Sequence, residues 1–280
     1  MKRFLMLLMV SHSLFAHEVH IGDHKDEKPN MPLNKNTFEY LIQKFKFSGQ
    51  EKILDLGCGD GTNTAYLTAL IPKGKVLGLD WSEELLASAK VNFPIYQYPN
   101  LSFDKANEYN LNYENEFDII FSFSKLQWAE DHKQVLMDIK KALKLNGTIA
   151  ISMPMGLPLT MQEAVEEMEN KEKWRPFFKD FSTGFNFISL EDYESLLENL
   201  GFEINLIEKR GQKEIFQNKE ALSAFMAQWL PHLKVIPNDL KEEFMSQFLN
   251  RYLQLEGVDL NSENSIYFFP NHLMVIAHKK

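Results

Sequence analysis

The sequence predicts an α/β fold built on a parallel sheet. Three observations carry that prediction. Short apolar runs alternate with stretches of helical periodicity from residue 34 onward. The first run opens directly into a glycine-rich turn, Gly57-Cys58-Gly59-Asp60-Gly61. The second ends on an acid, Asp80. A glycine turn and an acid at successive strand ends are what a ligand site at the carboxyl edge of such a sheet requires.

The elements follow in order. Asn36 is placed to cap a helix bearing Phe38, Leu41, Ile42 and Phe45. Lys52 to Leu56 reads as a buried strand, and Thr62 to Leu70 as the helix after the glycine turn. Pro72-Lys73-Gly74 turns into a second strand, Val76 to Leu79. Ser82 caps the next helix, with Leu85, Leu86 and Ala89 on one face. Leu101 to Phe103 and Phe117 to Phe121 form the third and fourth strands. Asp131 and Gln134 make a capping box for a helix through Leu143. Leu145-Asn146-Gly147 turns into a fifth strand, Thr148 to Ser152. Two more strands are expected, Phe202 to Glu208 and His272 to His278.

Composition narrows the function. With 280 residues, one core with insertions is expected, in a domain spanning 34–280. The net charge of −9 argues against nucleic acid, whose phosphates call for basic residues. A small-molecule partner suits it better. A single cysteine excludes an internal disulfide and a four-cysteine zinc site. Residues 1–16 resemble a secretory leader, with Lys2 and Arg3 before the apolar run Phe4 to Val10. That run is far shorter than the ~20 residues of a spanning helix, so no stable membrane insertion is expected. The stretch also reads as an upstream extension with a start at Met31. Residues 17–33 form a polar tail holding His17, His20 and His24. Nothing beside these can fix a coordination geometry, so no metal is expected.

The glycine turn decides the cofactor class. Thr62 stands where a dinucleotide fingerprint would place its third glycine, and no Gly-Lys-Ser/Thr follows. Asp55 lies two residues before the first glycine. A carboxylate there repels a pyrophosphate and attracts the ammonium and sulfonium of S-adenosylmethionine (SAM). Gly57, Gly59 and Gly61 let the backbone approach that ligand. Asp80 can accept from both ribose hydroxyls, and Trp81 offers adenine a flat face. Asn107 or its neighbour Glu108 can meet the adenine amine after the third strand. Cys58, inside the turn, reads as a small packing residue rather than a nucleophile.

These residues resemble the class I SAM-dependent methyltransferases. ILDLGCGDG (53–61), GLDWS (78–82), FDIIFSFSKLQW (117–128) and LKLNGTIAIS (143–152) match that family's motifs in order and spacing. The stretch 122–136 is similar to the trans-aconitate, juvenile hormone acid and malonyl-carrier-protein carboxyl methyltransferases, and the likeness runs over 34–280. It implies a Rossmann-like seven-stranded sheet of order 3-2-1-4-5-7-6 with strand 7 antiparallel, and helical lid insertions. It also implies that Ser122 lies beside the cofactor. Asn107 stands where the family has Asp, and Asn34 or Asn36 stands where that group has Tyr/Gln substrate elements. A cytoplasmic enzyme is expected, since SAM is made there, with export through residues 1–16 as the alternative.

The acceptor is expected to be a carboxylate. It is ionised at pH 7 and needs no general base, and no convincing base or magnesium-binding acid follows the fourth strand. No catalytic side chain is therefore assigned; methyl transfer rests on proximity. Gln127 and Trp128 can donate to the acceptor's oxygens, and Arg175 can pair with them. His132 reads as an exposed residue of a helix's first turn. Apolar residues crowd two lid segments, 153–190 and 215–258, which favours an apolar acid. The alternatives are a carbon or nitrogen methyltransferase of an apolar metabolite, a malonyl-carrier-protein methyltransferase, and a non-catalytic SAM-binding module.

Overall fold

The computed structural model describes residues 35–106, 111–259 and 265–280. The leader-like stretch, the histidine tail, Asn34, Asn107 and Glu108 lie outside the described residues. In chain order the first half runs α1 (Lys35–Ile42), β1 (Lys52–Leu56), α2 (Thr62–Leu70), β2 (Lys75–Asp80), α3 (Glu83–Asn92), β3 (Leu101–Lys105), β4 (Phe117–Phe123), α4 (His132–Ala142) and β5 (Leu143–Pro154). The second half adds α5 (Leu159–Asn170), α6 (Leu190–Asn199), β6 (Phe202–Gly211), β7 (Glu214–Phe216), α7 (Lys219–Ala227), α8 (Lys241–Leu255), β8 (Ile266–Phe268) and β9 (Asn271–Lys279).

Seven strands form one sheet of order β3-β2-β1-β4-β5-β9-β6. β9 is the expected antiparallel strand, pairing with β5 on one side and β6 on the other. The central strands are buried on both faces, as apolar runs such as Ile53-Leu54 and Ile119-Ile120-Phe121 require. One face packs on α4 and α6 through Leu136, Ile139, Tyr193 and Leu197. The other packs on α1 and α2 through Phe38, Leu41, Ala65 and Leu67.

Several boundaries move. Asn36 lies inside α1, which begins at Lys35, so it does not cap it. The Asp131 carboxylate accepts from Gln134 N at 3.0 Å, but the Gln134 amide turns forward to Asp138, so only half of the capping box forms. The Leu145-Asn146-Gly147 turn is a bulge within a longer β5, with Asn146 at φ 63°. β7 and β8 pair as a separate two-stranded sheet that the sequence did not announce.

The two apolar insertions build one shared core. α5 packs on α8, and Met161, Met168, Trp174, Leu222, Phe244 and Phe248 are fully buried together. The surplus of aromatic residues therefore holds a helical cap, and by itself indicates no apolar pocket. Trp174 anchors it: the ring meets Phe244 edge-on at 5.3 Å and Nε1 donates to Gln247 at 3.1 Å. Trp174→Ala is expected to cost about 3–5 kcal/mol and to lower the melting temperature by roughly 10 °C. A calorimetric shift of less than about 2 °C would show that the cap does not rest on this ring. Among the described residues no helix is long and apolar enough to cross a membrane, and no cluster of potential metal ligands occurs.

Candidate active site

The glycine turn leaves β1 and is clamped to β2. Gly57 N and Cys58 N both donate to Leu79 O, at 2.8 and 3.0 Å. Gly57, Gly59 and Gly61 all have φ between 56° and 87°, so each needs the left-handed freedom of glycine. Their surroundings differ. A Cβ on Gly61 would strike the Phe103 ring at 2.6 Å, so this glycine serves packing. A Cβ on Gly57 would lie 2.6 Å from Cβ of Lys125. A Cβ on Gly59 would meet nothing within 4 Å, so this backbone faces open space that a ligand can fill.

Acids surround the turn. Asp80 ends β2 and is buried; its Oδ2 accepts from Gly59 N at 3.1 Å and its Oδ1 from Ser82 N at 2.9 Å. Each oxygen keeps a lone pair for a further donor. Asp55 is also buried, and its Oδ2 accepts from Thr64 Oγ1 at 2.7 Å. Burial pushes its carboxyl up to about 7, against the Thr64 hydrogen bond and with help from the Asp80 charge. Cys58 is buried in the turn against Gly78. Burial, then Asp55 and Asp80, hold its thiol far above the ordinary range, so it is packing and not a nucleophile. Trp81 is 42% exposed, which rules out a core role, and the Lys125 side chain lies against its ring.

Ser122 is buried in β4, and its hydroxyl donates to Leu56 O at 3.0 Å, tying β4 to β1.

Beyond β4 the chain turns at Ser124 (φ 51°) into a 3₁₀ turn, Leu126–Trp128. Gln127 is buried there; its Nε2 donates to Ser124 O at 2.7 Å, and its Oε1 has no partner. It thus presents an acceptor, whereas the sequence reading expected a donor. Trp128 is half-buried and packs on Phe185 of the first insertion, with ring centroids 4.5 Å apart. Lys234 of the second insertion brings its Nζ to 5.3 Å from the same ring. Arg175 starts a 3₁₀ turn over Arg175–Phe178, where its side chain is exposed. Among the described residues no contact brings it to Gln127 or Trp128. His132 is half-buried rather than exposed. Its Nε2–H donates to Asn186 O at 2.9 Å, while Asn186 N donates to Gln127 O at 2.7 Å. The lid loop is thereby stapled beside Trp128.

Residues 47–218, well over half of the chain, match the family described as a methyltransferase domain. The chain belongs to this methyltransferase family. The methyltransferase is 24% identical to trans-aconitate 2-methyltransferase of Escherichia coli over 243 residues, 85% of this chain and 90% of that one. It superposes on the YcgJ protein of Bacillus subtilis with a TM-score of 0.60 at 14% identity, covering 88% of this chain and 98% of that one. Phosphoethanolamine N-methyltransferase 2 of Haemonchus contortus, solved with SAM, gives a TM-score of 0.55 at 18% identity over 87% of this chain and 52% of that one.

The methyltransferase is SAM-dependent, and its turn suits that cofactor. The open face of Gly59 and the acids Asp55 and Asp80 match a ligand that is cationic at one end and carries ribose hydroxyls in its middle. Two lysines were missed from sequence. Lys125 and Lys234 flank the turn and Trp128, and only the folding of distant segments puts them there.

Proposed function

We propose that the enzyme methylates a carboxylate oxygen of a small-molecule acid, held between Trp128 and Lys234. The carrying observation is the Lys234 ammonium over the Trp128 ring, with no acidic partner for Lys234 among the described residues. An ammonium and an indole N–H together suit a carboxylate. The likeness to trans-aconitate 2-methyltransferase supports the same substrate class.

When bound, SAM supplies a methyl group already activated by its sulfonium. The chain's task is placement. Asp80 would hold the ribose, Trp81 would cover the adenine, and Gly59 would leave room for the methionine part. Asp55 supplies negative charge beneath the turn. Lys234 and Trp128 orient the acceptor, and Phe185 helps keep water from it. The acceptor is ionised at neutral pH, so no side chain need remove a proton. Holding both reactants in line replaces a costly encounter with a local step.

A second reading has its own observation. The unpartnered, buried Oε1 of Gln127 would suit an acceptor bearing N–H, hence nitrogen methylation.

Methyl transfer from labelled SAM to a panel of trans-aconitate, fatty acids and malonyl thioesters separates these readings. Label that mild alkali releases as methanol supports the ester; label that resists alkali supports nitrogen or carbon methylation and contradicts it. With an accepted acid, Lys234→Ala should raise KM on the order of tenfold while kcat changes little. An unchanged KM would remove Lys234 from the acceptor site.

A further inference from the structure

We propose that His132 is a positioning residue for the acceptor site: its imidazole holds the lid loop against the turn that carries Trp128. This rests on the reading above that Trp128 orients the acceptor. His132 opens α4, and its backbone is fixed there because the Asp131 carboxylate accepts from Gln134 N at 3.0 Å. Its Nε2–H donates to Asn186 O at 2.9 Å. The backbone N–H of Asn186 donates to Gln127 O at 2.7 Å. One loop residue is thus tied by its carbonyl to α4 and by its amide to the turn after β4. Residues 181–189 form neither helix nor strand, so no regular ladder sets their course and two bonds at one residue weigh heavily.

The neighbours of Asn186 carry the consequence to the acceptor side. Phe185 packs on the Trp128 ring at 4.5 Å, and Phe187 stacks on Phe185 at 5.0 Å. Released from His132, the loop would let Phe185 turn off the indole, and Trp128 would lose the wall that fixes it. His132 acts on the acceptor only through Asn186 and Phe185. The chemistry of the ring singles out this one bond. Donation to a carbonyl requires the proton on Nε2, which leaves Nδ1 an acceptor. That Nδ1 is buried without a hydrogen-bond partner, on a ring that meets Tyr193 of α6 edge-on at 5.7 Å. A buried, unpaired polar atom is destabilising, so a hydrocarbon side chain would serve packing alone better. The distinct contribution of the imidazole is its bond to Asn186.

Three substitutions test this in the full chain. In His132→Gln an amide N–H can take the place of Nε2–H; in His132→Asn the amide is a methylene too short to reach; His132→Leu has no donor. Hydrogen exchange reads the staple without any acceptor. The Asn186 amide should exchange about fivefold faster in the asparagine and leucine variants, and at the wild-type rate in the glutamine variant. Methyl transfer reads the function, on whichever acceptor the panel above yields. The asparagine and leucine variants should raise its KM about fivefold, with kcat and SAM affinity little changed, and the glutamine variant should restore the wild-type KM. A merely structural histidine would lower the melting temperature without separating glutamine from asparagine in KM. An Asn186 amide that exchanges alike in wild type and in all variants would overturn the inference, and so would a wild-type KM in the asparagine and leucine variants. Trp128→Ala guards the underlying reading. An unchanged KM there removes Trp128 from the acceptor site and takes this inference with it; a raised KM there beside unchanged KM in every His132 variant overturns the inference about His132 alone.

Discussion

Asp80→Asn will weaken SAM binding on the order of 100-fold, with the fold retained. The carboxylate offers charged acceptors to two ribose hydroxyls, and hydrogen bonds to charged groups contribute about 1.5–3 kcal/mol each. An amide keeps one oxygen and turns an NH₂ toward the other hydroxyl. The same substitution sets that NH₂ against the backbone N–H of Gly59 or of Ser82, which Asp80 now accepts. A modest fall in melting temperature should accompany the loss of affinity. Calorimetry with SAM reads the first effect and thermal unfolding the second. Full affinity in a folded variant would remove Asp80 from the cofactor site.

The second large effect concerns Asp55 and pH. Its carboxyl is raised from 3.8 to about 7, chiefly by burial. A raised acid favours folding while protonated, and that contribution is lost as pH climbs through about 7. Asp55→Asn should therefore stabilise the ligand-free chain relative to wild type above pH 7, by at most about 4 kcal/mol. Near pH 4 and below the two proteins should differ little. A cationic ligand reverses the preference, because it favours the ionised carboxylate. SAM affinity of the wild type should rise with pH, level off above about 7, and be accompanied by proton release below it. In Asp55→Asn this dependence should vanish and binding should be weaker throughout. A wild-type affinity that is flat between pH 5 and 8 would show that Asp55 does not sense the cofactor.

Much of this architecture was legible before folding. The central strands are short apolar runs, and the turn after β1 carries glycines where left-handed backbone is needed. Asp80 could be read from its place at the end of β2. The short pair β7 and β8 could not, because three residues each leave no periodicity to detect. Nor could the cap, since α5 and α8 meet across some seventy intervening residues. The apolar richness of the insertions was visible, but its destination was not.

Site residues divide along the same line. Position along the sheet follows from sequence; the direction of a side chain does not. Ser122 was expected to face the cofactor, and its hydroxyl donates to Leu56 O. Gln127 was expected as a donor to the methyl acceptor, yet its amide donates inward to Ser124 O. Arg175 was expected to pair with the acceptor because the guanidinium fork suits a carboxylate and the residue lies in the first lid segment. The cation that reaches Trp128 is instead Lys234, delivered by the second insertion.

A crystal structure of the protein with S-adenosylhomocysteine tests the account most directly. The ribose hydroxyls should lie within hydrogen-bonding distance of Asp80, with the sulfur facing Trp128. A ligand bound away from Asp80 and the glycine turn would contradict it.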